Sequence, residues 1–292
     1  MIIIQLYGGL GNQMFQYAAG RSLAYSLNTE LKLDITQYRE DKLRNYALSV
    51  FSMTKNVASA TDLGRVRRPL AWNIKHPIKA LRTVIPQNVP IRFVKERHFY
   101  FDREIFALSD NVYLDGHWQS EKYFKNIEAI IREDFTLSDE PDYLNKQMAD
   151  KIRNCEAVSL HVRRGDYISN PVTTAYHGFC SEEYYHRAIS KLESSVKDPH
   201  FFVFSDDPVW AKENLKSGYP TTMIDFNGSE KDYEDLRLMS LCKHHIIANS
   251  SFSWWGAWLS NNPQKIVIAP KQWFNYSDID TKDLIPESWI RL

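Results

Sequence analysis

The sequence predicts an α/β protein of two domains, and three observations carry that expectation. Its 292 residues exceed what one hydrophobic core usually organises. The chain opens with an apolar run that stops at a glycine turn and continues into a helical stretch. Beyond residue 156, short apolar runs alternate regularly with amphipathic stretches, the pattern of βαβ units in a mostly parallel sheet with right-handed crossovers.

The first strand is expected at residues 2–7, followed by the turn Gly8-Gly9-Leu10-Gly11-Asn12-Gln13 and a helix over 14–27. Residues 31–34 read as a second short strand. Between 60 and 100, Pro69, Pro77 and Pro86 punctuate a stretch carrying Arg65, Arg67, Arg68, Lys75, Lys79, Arg82 and Trp72, which argues for short helices and loops. A strand returns at 111–116, and Ser120 starts a helix with Glu121 favourably placed in its first turn. Residues 133–142 are acidic and proline-terminated, without a sustained apolar period, so the domain boundary is placed between them and Lys151, giving domains 1–150 and 151–292. In the second domain, strands are expected at 157–162, 201–205, 222–225, 246–248 and 266–269. Helices are expected between them at 181–192, 208–215, 233–241 and 252–259.

Composition excludes several classes. Thirty-six basic residues cancel 36 acidic ones, which removes the global basic excess of a nucleic-acid binder and confines any polyanion contact to local sites. Cys155, Cys180 and Cys242 are odd in number and widely spaced, so neither a disulfide framework nor a zinc site is expected, and a reducing cytoplasm is the natural compartment. The amino terminus lacks the basic region of a signal peptide, and no apolar run approaches the ~20 residues of a membrane span. The basic, tryptophan-containing segment from Arg65 to Arg82 leaves open a peripheral contact with an anionic membrane surface.

Chemistry is expected at the strand-to-helix junctions. His161-Val162-Arg163-Arg164-Gly165-Asp166-Tyr167 places two arginines where an apolar strand stops. A guanidinium stays charged and offers a planar fork of donors matched to phosphate oxygens. Adjacent strand residues point to opposite faces, so the two arginines cannot both be solvent decoration while the strand lasts. The bland alternative is a surface salt bridge to Asp166, whose role as an orienting group or a base stays open. At the next junction, Asp207 before Pro208 reads as a helix cap, which leaves Asp206 for a guanine edge or a ribose hydroxyl.

Asn249-Ser250-Ser251-Phe252-Ser253 opens a helix with small hydroxyl residues, an anion site by dipole and amide N–H alone, while Trp254, Trp255 and Trp258 read as core. The glycine loop has neither Walker nor GxGxxG spacing. Gly9 permits close ligand approach and Asn12 can meet hydroxyls, the bland alternative being a tight turn capped by Asn12. No HExxH or comparable pair unites His117, His177, His244 and His245, and there is no GxSxG elbow. Neither Asp206-Asp207 nor Asp278-Ile279-Asp280 has a third oxygen ligand, so no metal site is expected.

In order along the chain, residues 8–16 (GGLGNQMFQ), 161–166 (HVRRGD), 205–207 (SDD) and 250–257 (SSFSWWGA) resemble the bacterial α-1,2-fucosyltransferases of glycosyltransferase family 11, as does the stretch 115–124 (DGHWQSEKYF). The resemblance spans nearly the whole chain and is poorest over 35–100. It implies a GT-B arrangement, two Rossmann-like domains facing a central cleft, with GDP-β-L-fucose on the carboxyl-terminal domain and a galactose-terminated oligosaccharide or lipid-linked glycan on the amino-terminal one. It implies inversion without a metal or further cofactor. Arg163 would contact the β-phosphate, His161 would lie near the guanine, and the Ser250–Ser253 turn would help hold the nucleotide. Arg163, Asp166 and His117 are the catalytic candidates. His161, Arg163, Arg164, Asp206, Asn249, Ser250, Ser251, Ser253, Gly9 and Asn12 are the candidates for binding the donor.

Overall fold

The computed structural model describes residues 1–41, 43–67, 90–165, 174–176, 178–276 and 278–292. The chain divides into two compact units, residues 1–138 with 282–284, and residues 139–281 with 285–292. The division falls twelve residues before the expected boundary. The cause is a helix, Tyr143–Arg153, that runs across the expected boundary: Asp142 caps it by accepting from Asn145 N–H at 3.0 Å, and its Ala149 and Ile152 pack with Ala157, Phe202 and Leu238 of the second unit.

The first unit holds a five-stranded parallel sheet of β1 (Ile2–Gln5), β2 (Leu31–Asp34), β3 (Val66–Arg67), β4 (Ile91–Lys95) and β5 (Val112–Asp115), in the order β2-β1-β5-β4-β3. Helix α1 (Leu10–Ser26) starts four residues earlier than expected, directly at Gly9, so Asn12 lies in its first turn and is not its cap. Gly8 makes this sharp entry possible: its φ is +77°, and a Cβ there would sit 2.6 Å from Asn12 Nδ2. The helix expected from Ser120 is two short 3-10 turns, Glu121–Tyr123 and Lys125–Ile127, with regular helix beginning only at Glu128–Asp134.

The second unit is a six-stranded sheet, again parallel throughout. Its strands are β6 (Glu156–Val162), β7 (Pro199–Ser205), β8 (Thr221–Ile224), β9 (His244–Ile246), β10 (Val267–Ala269) and β11 (Ile290–Arg291), in the order β11-β10-β9-β6-β7-β8. The chain moves outward from β6 to β8, then crosses back to the other side of β6 and moves outward again. Such a reversal marks the place where open α/β sheets bind ligands, beyond the carboxyl ends of the two strands beside it. Here those strands are β6 and β9, which end in the arginine motif and the serine motif respectively.

The four helices expected between these strands are present at Glu182–Glu193, Pro208–Asn214, Asp232–Leu241 and Ser251–Leu259. Trp254, Trp255 and Trp258 are buried, as expected for core. Gly256 lets the last helix approach its neighbour, since a Cβ would lie 2.8 Å from Met239 Cβ. Among the described residues no helix is long and apolar enough to cross a membrane. Residues 68–89 fall outside the described residues, including Arg68, Lys75, Lys79 and Arg82 of the basic segment.

Candidate functional site

The carboxyl edge of the second sheet gathers the arginine, aspartate and serine motifs. Strand β6 is fully buried through Val162, so Arg163 and Arg164 are the first residues free to turn out of the sheet. Arg163 Nη1 lies 3.1 Å from Asp206 Oδ2, while the Arg164 backbone N–H donates to Asp206 Oδ1 at 2.8 Å. One carboxylate on the neighbouring strand end therefore holds both the side chain and the main chain of the arginine turn. The sequence expectation left Asp206 for the guanine or ribose; in the structure its two oxygens also hold the arginine loop. Asp166, the partner expected for the bland salt bridge, lies outside the described residues, as does His177.

The two arginines have distinct surroundings. Arg164 places its guanidinium carbon 3.9 Å from the Trp210 ring centre and 5.6 Å from that of Phe179, and its Nε is 3.6 Å from Asp207, beyond hydrogen-bond reach. That stacking holds Arg164 against its own domain, while Arg163 pairs with Asp206. Asp207 accepts from Trp210 N–H at 3.1 Å with Pro208 in the first helical position, the expected cap.

Gly165 completes the clamp, because a Cβ there would lie 2.9 Å from Asp206 Oδ2, an atom already engaged. Gly165→Ala is therefore expected to leave the fold intact but push the carboxylate off Arg163. About 1 kcal/mol of lost charge-assisted bonding translates into roughly fivefold weaker GDP binding by calorimetry. Unchanged affinity would mean that the close approach is incidental.

Across the strand-order reversal, Ser250 accepts from Phe252 N–H at 3.3 Å and caps the last helix, whose positive dipole end faces the same edge. Ser251 is its first residue. Ser253 is buried and donates its hydroxyl to Ser250 O at 3.3 Å. Asn249 donates through Nδ2 to Trp273 O at 3.2 Å and accepts from the Cys180 thiol at 3.6 Å. Asn249 and Ser253 thus shape the helix start.

His161 sits beneath, with its ring 5.7 Å from that of Phe252. Burial, with the Arg163 charge as a smaller cause, pushes its pKa down to about 3, so the ring is neutral at physiological pH. Its Nδ1 has no hydrogen-bond partner among the described residues. His244 and His245 belong to the sheet: the first accepts from Ile266 N–H and the second bonds Ser159 Oγ at 2.7 Å.

A second cluster stands at the carboxyl edge of the first sheet, where β1 and β5 lie side by side. Gln119 Nε2 donates to Asn12 Oδ1 at 2.8 Å, and the Tyr7 and His117 rings meet edge-on at 5.0 Å. Gly9 begins α1 with its face open to a ligand, a Cβ there meeting nothing within 4 Å. Sequence reasoning missed Glu96, which follows β4 and binds the backbone of the His117 turn; a lone glutamate between Lys95 and Arg97 carries no motif. It also missed Trp210, which reads as ordinary helix core. Among the described residues no group of three His, Cys, Asp or Glu could hold a metal ion.

Comparison with known proteins agrees with this architecture. The chain is 36% identical to an α-1,2-colitosyltransferase of Escherichia coli, covering 100% of this chain and 99% of that protein. It is 32% identical to the O-antigen biosynthesis glycosyltransferase WbnK of Escherichia coli, covering 98% and 99%. A bovine galactoside 2-α-L-fucosyltransferase, SEC1, is 26% identical over 88% of this chain and 64% of its own length. Among solved structures, the NodZ α-1,6-fucosyltransferase crystal soaked with GDP-fucose superposes with a TM-score of 0.55 at 15% identity, covering 91% of this chain and 94% of NodZ, so the two share the GT-B fold. The sequence model of Glycosyl transferase family 11 matches residues 1–292. The chain therefore belongs to glycosyl transferase family 11 and is a glycosyltransferase.

Proposed function

We propose that the enzyme transfers a 6-deoxy-L-galactose-type sugar, L-fucose in the first instance, from its GDP-β derivative to the 2-hydroxyl of a terminal β-galactoside, with inversion and without a metal ion. The observation that carries this reading is the Arg163–Asp206 pair at the end of β6 and the serine-capped helix start after β9, the two strands beside the strand-order reversal of the second sheet. The donor occupies the second unit and the acceptor the first. Arg163, His161 and the amides that follow Ser250 hold the nucleotide, and Arg164 and Asp206 position the arginine turn.

In a single displacement the acceptor oxygen attacks the anomeric carbon as GDP departs, and charge builds on the β-phosphate oxygens. Arg163 and the helix start stabilise that charge, each such donor typically lowering the barrier by ~3 kcal/mol. The name of the WbnK relative supports a role in O-antigen assembly. On this reading the enzyme works in the cytoplasm or peripherally on the inner face of the membrane, where a lipid-linked acceptor resides.

A second reading of the donor has its own observation: the 36% identical relative transfers colitose, the 3-deoxy counterpart of L-fucose. The deciding experiment offers GDP-L-fucose and GDP-L-colitose with a panel of β-galactoside acceptors and assigns the product linkage by NMR. An α-1,2 linkage is expected, with an initial rate unchanged by EDTA and with GDP binding far tighter than UDP or CDP by calorimetry. Preference for another nucleotide, loss of rate in EDTA, or nucleotide binding without transfer would contradict the reading.

A further inference from the structure

We propose that Glu96 is the general base of the transfer, taking the proton from the attacking acceptor hydroxyl while the turn after β5 holds its carboxylate in place. The inference rests on the functional reading above. Glu96 follows the last residue of β4, and the register pairs Lys95 with Asp115, which puts Glu96 beside Gly116 at the carboxyl edge of the first sheet. Its Oε2 accepts from His117 N–H at 2.6 Å and its Oε1 from Trp118 N–H at 3.0 Å.

The turn is built around this carboxylate. A Cβ on Gly116 would lie 2.8 Å from Oε2, so only glycine lets the chain wrap so closely. Trp118 adopts a φ of +55°, a strained conformation for a large side chain. Structure that maintains such strain to bind a carboxylate by two amides has fixed its direction. Each carboxylate oxygen still has a second lone pair for a proton.

The surroundings set its basicity. Burial raises the Glu96 pKa to about 7, with the Asp115 carboxylate adding to the rise and the two amides opposing it. Tyr123, whose ring meets that of Trp118 edge-on, and His117 are the other titratable groups on the elements packed here. Arg97, the adjacent cation, is turned to Asp102 and Glu104. A base serves best when its pKa lies near the working pH. In the step, the hydroxyl proton passes to Glu96, the freed oxygen pair forms the bond to the anomeric carbon, and the bond from that carbon to the diphosphate breaks with its electrons leaving on GDP.

The test compares wild type with Glu96→Gln and Glu96→Asp across a pH range spanning neutrality. Because the carboxylate is the active form, wild-type kcat is expected to fall as pH drops through about 7. Glu96→Gln, which keeps a carbonyl to accept one amide, is expected to lose about 10²-fold in kcat and the acid limb with it. GDP affinity and acceptor KM should stay near wild type, and Glu96→Asp should recover part of the rate. An unchanged kcat and limb in Glu96→Gln would overturn the assignment, as would a loss expressed only in acceptor KM or melting temperature. Should the variants not fold, a wild-type kcat without a limb near neutrality overturns it equally. Failure of wild type to transfer from any GDP-sugar would instead overturn the functional reading itself.

Discussion

Replacing Arg163 by lysine is expected to lower turnover by about 10²- to 10³-fold while leaving the chain folded. The side chain is only partly buried, at 24% exposure, and lies at the rim of the sheet, so its removal costs little packing. Its value is geometric. A guanidinium offers a planar fork of donors that can meet a carboxylate and phosphate oxygens in fixed geometry, whereas an ammonium is a single point charge that must choose. Because charge grows on the β-phosphate only as the sugar departs, the loss should appear in kcat more than in GDP affinity. Single-turnover rates and calorimetry on the same preparation separate the two, and a lysine variant with full turnover would show that charge alone suffices.

Asp206→Ala is expected to cost about 10- to 100-fold in kcat, because it releases both the Arg163 side chain and the Arg164 amide, and a misplacement of about 1 Å can cost 10²-fold. Asp206→Asn retains an oxygen for the Arg164 amide and should fall between. The split between parameters is diagnostic. If Asp206 instead met the guanine or ribose, as the sequence alone suggested, donor KM would rise and kcat would hold.

Most of the second unit was legible in the sequence because fully buried parallel strands such as residues 157–162 are continuous apolar runs bounded by polar junctions. The same junctions announced the arginine and serine motifs. What the sequence did not show were partnerships across strands. Pro208 marks Asp207 as the helix cap in the sequence, but only the packing of β7 beside β6 assigns Asp206 to Arg163. Arg164 beside Arg163 reads as a second phosphate ligand until Trp210 is seen beneath it.

Local chemistry also misled where tertiary packing decided. Asn12 and Ser120 are good capping residues, yet the helix begins at Gly9 in one case and tightens into a 3-10 turn in the other. The helix Tyr143–Arg153 hid behind an acidic, proline-containing lead whose Asp142 is its cap. Glu96 carried no signal at all, since its significance comes from burial and two amides contributed by residues more than twenty positions away.

The central claim is that the arginine turn after β6 and the helix start after β9 together grip the departing diphosphate. A crystal structure of the enzyme with GDP tests it most directly. The β-phosphate is expected within hydrogen-bond distance of the Arg163 guanidinium and of the amides that follow Ser250, with Arg164 still stacked on Trp210. Density for the diphosphate away from both elements would contradict the account.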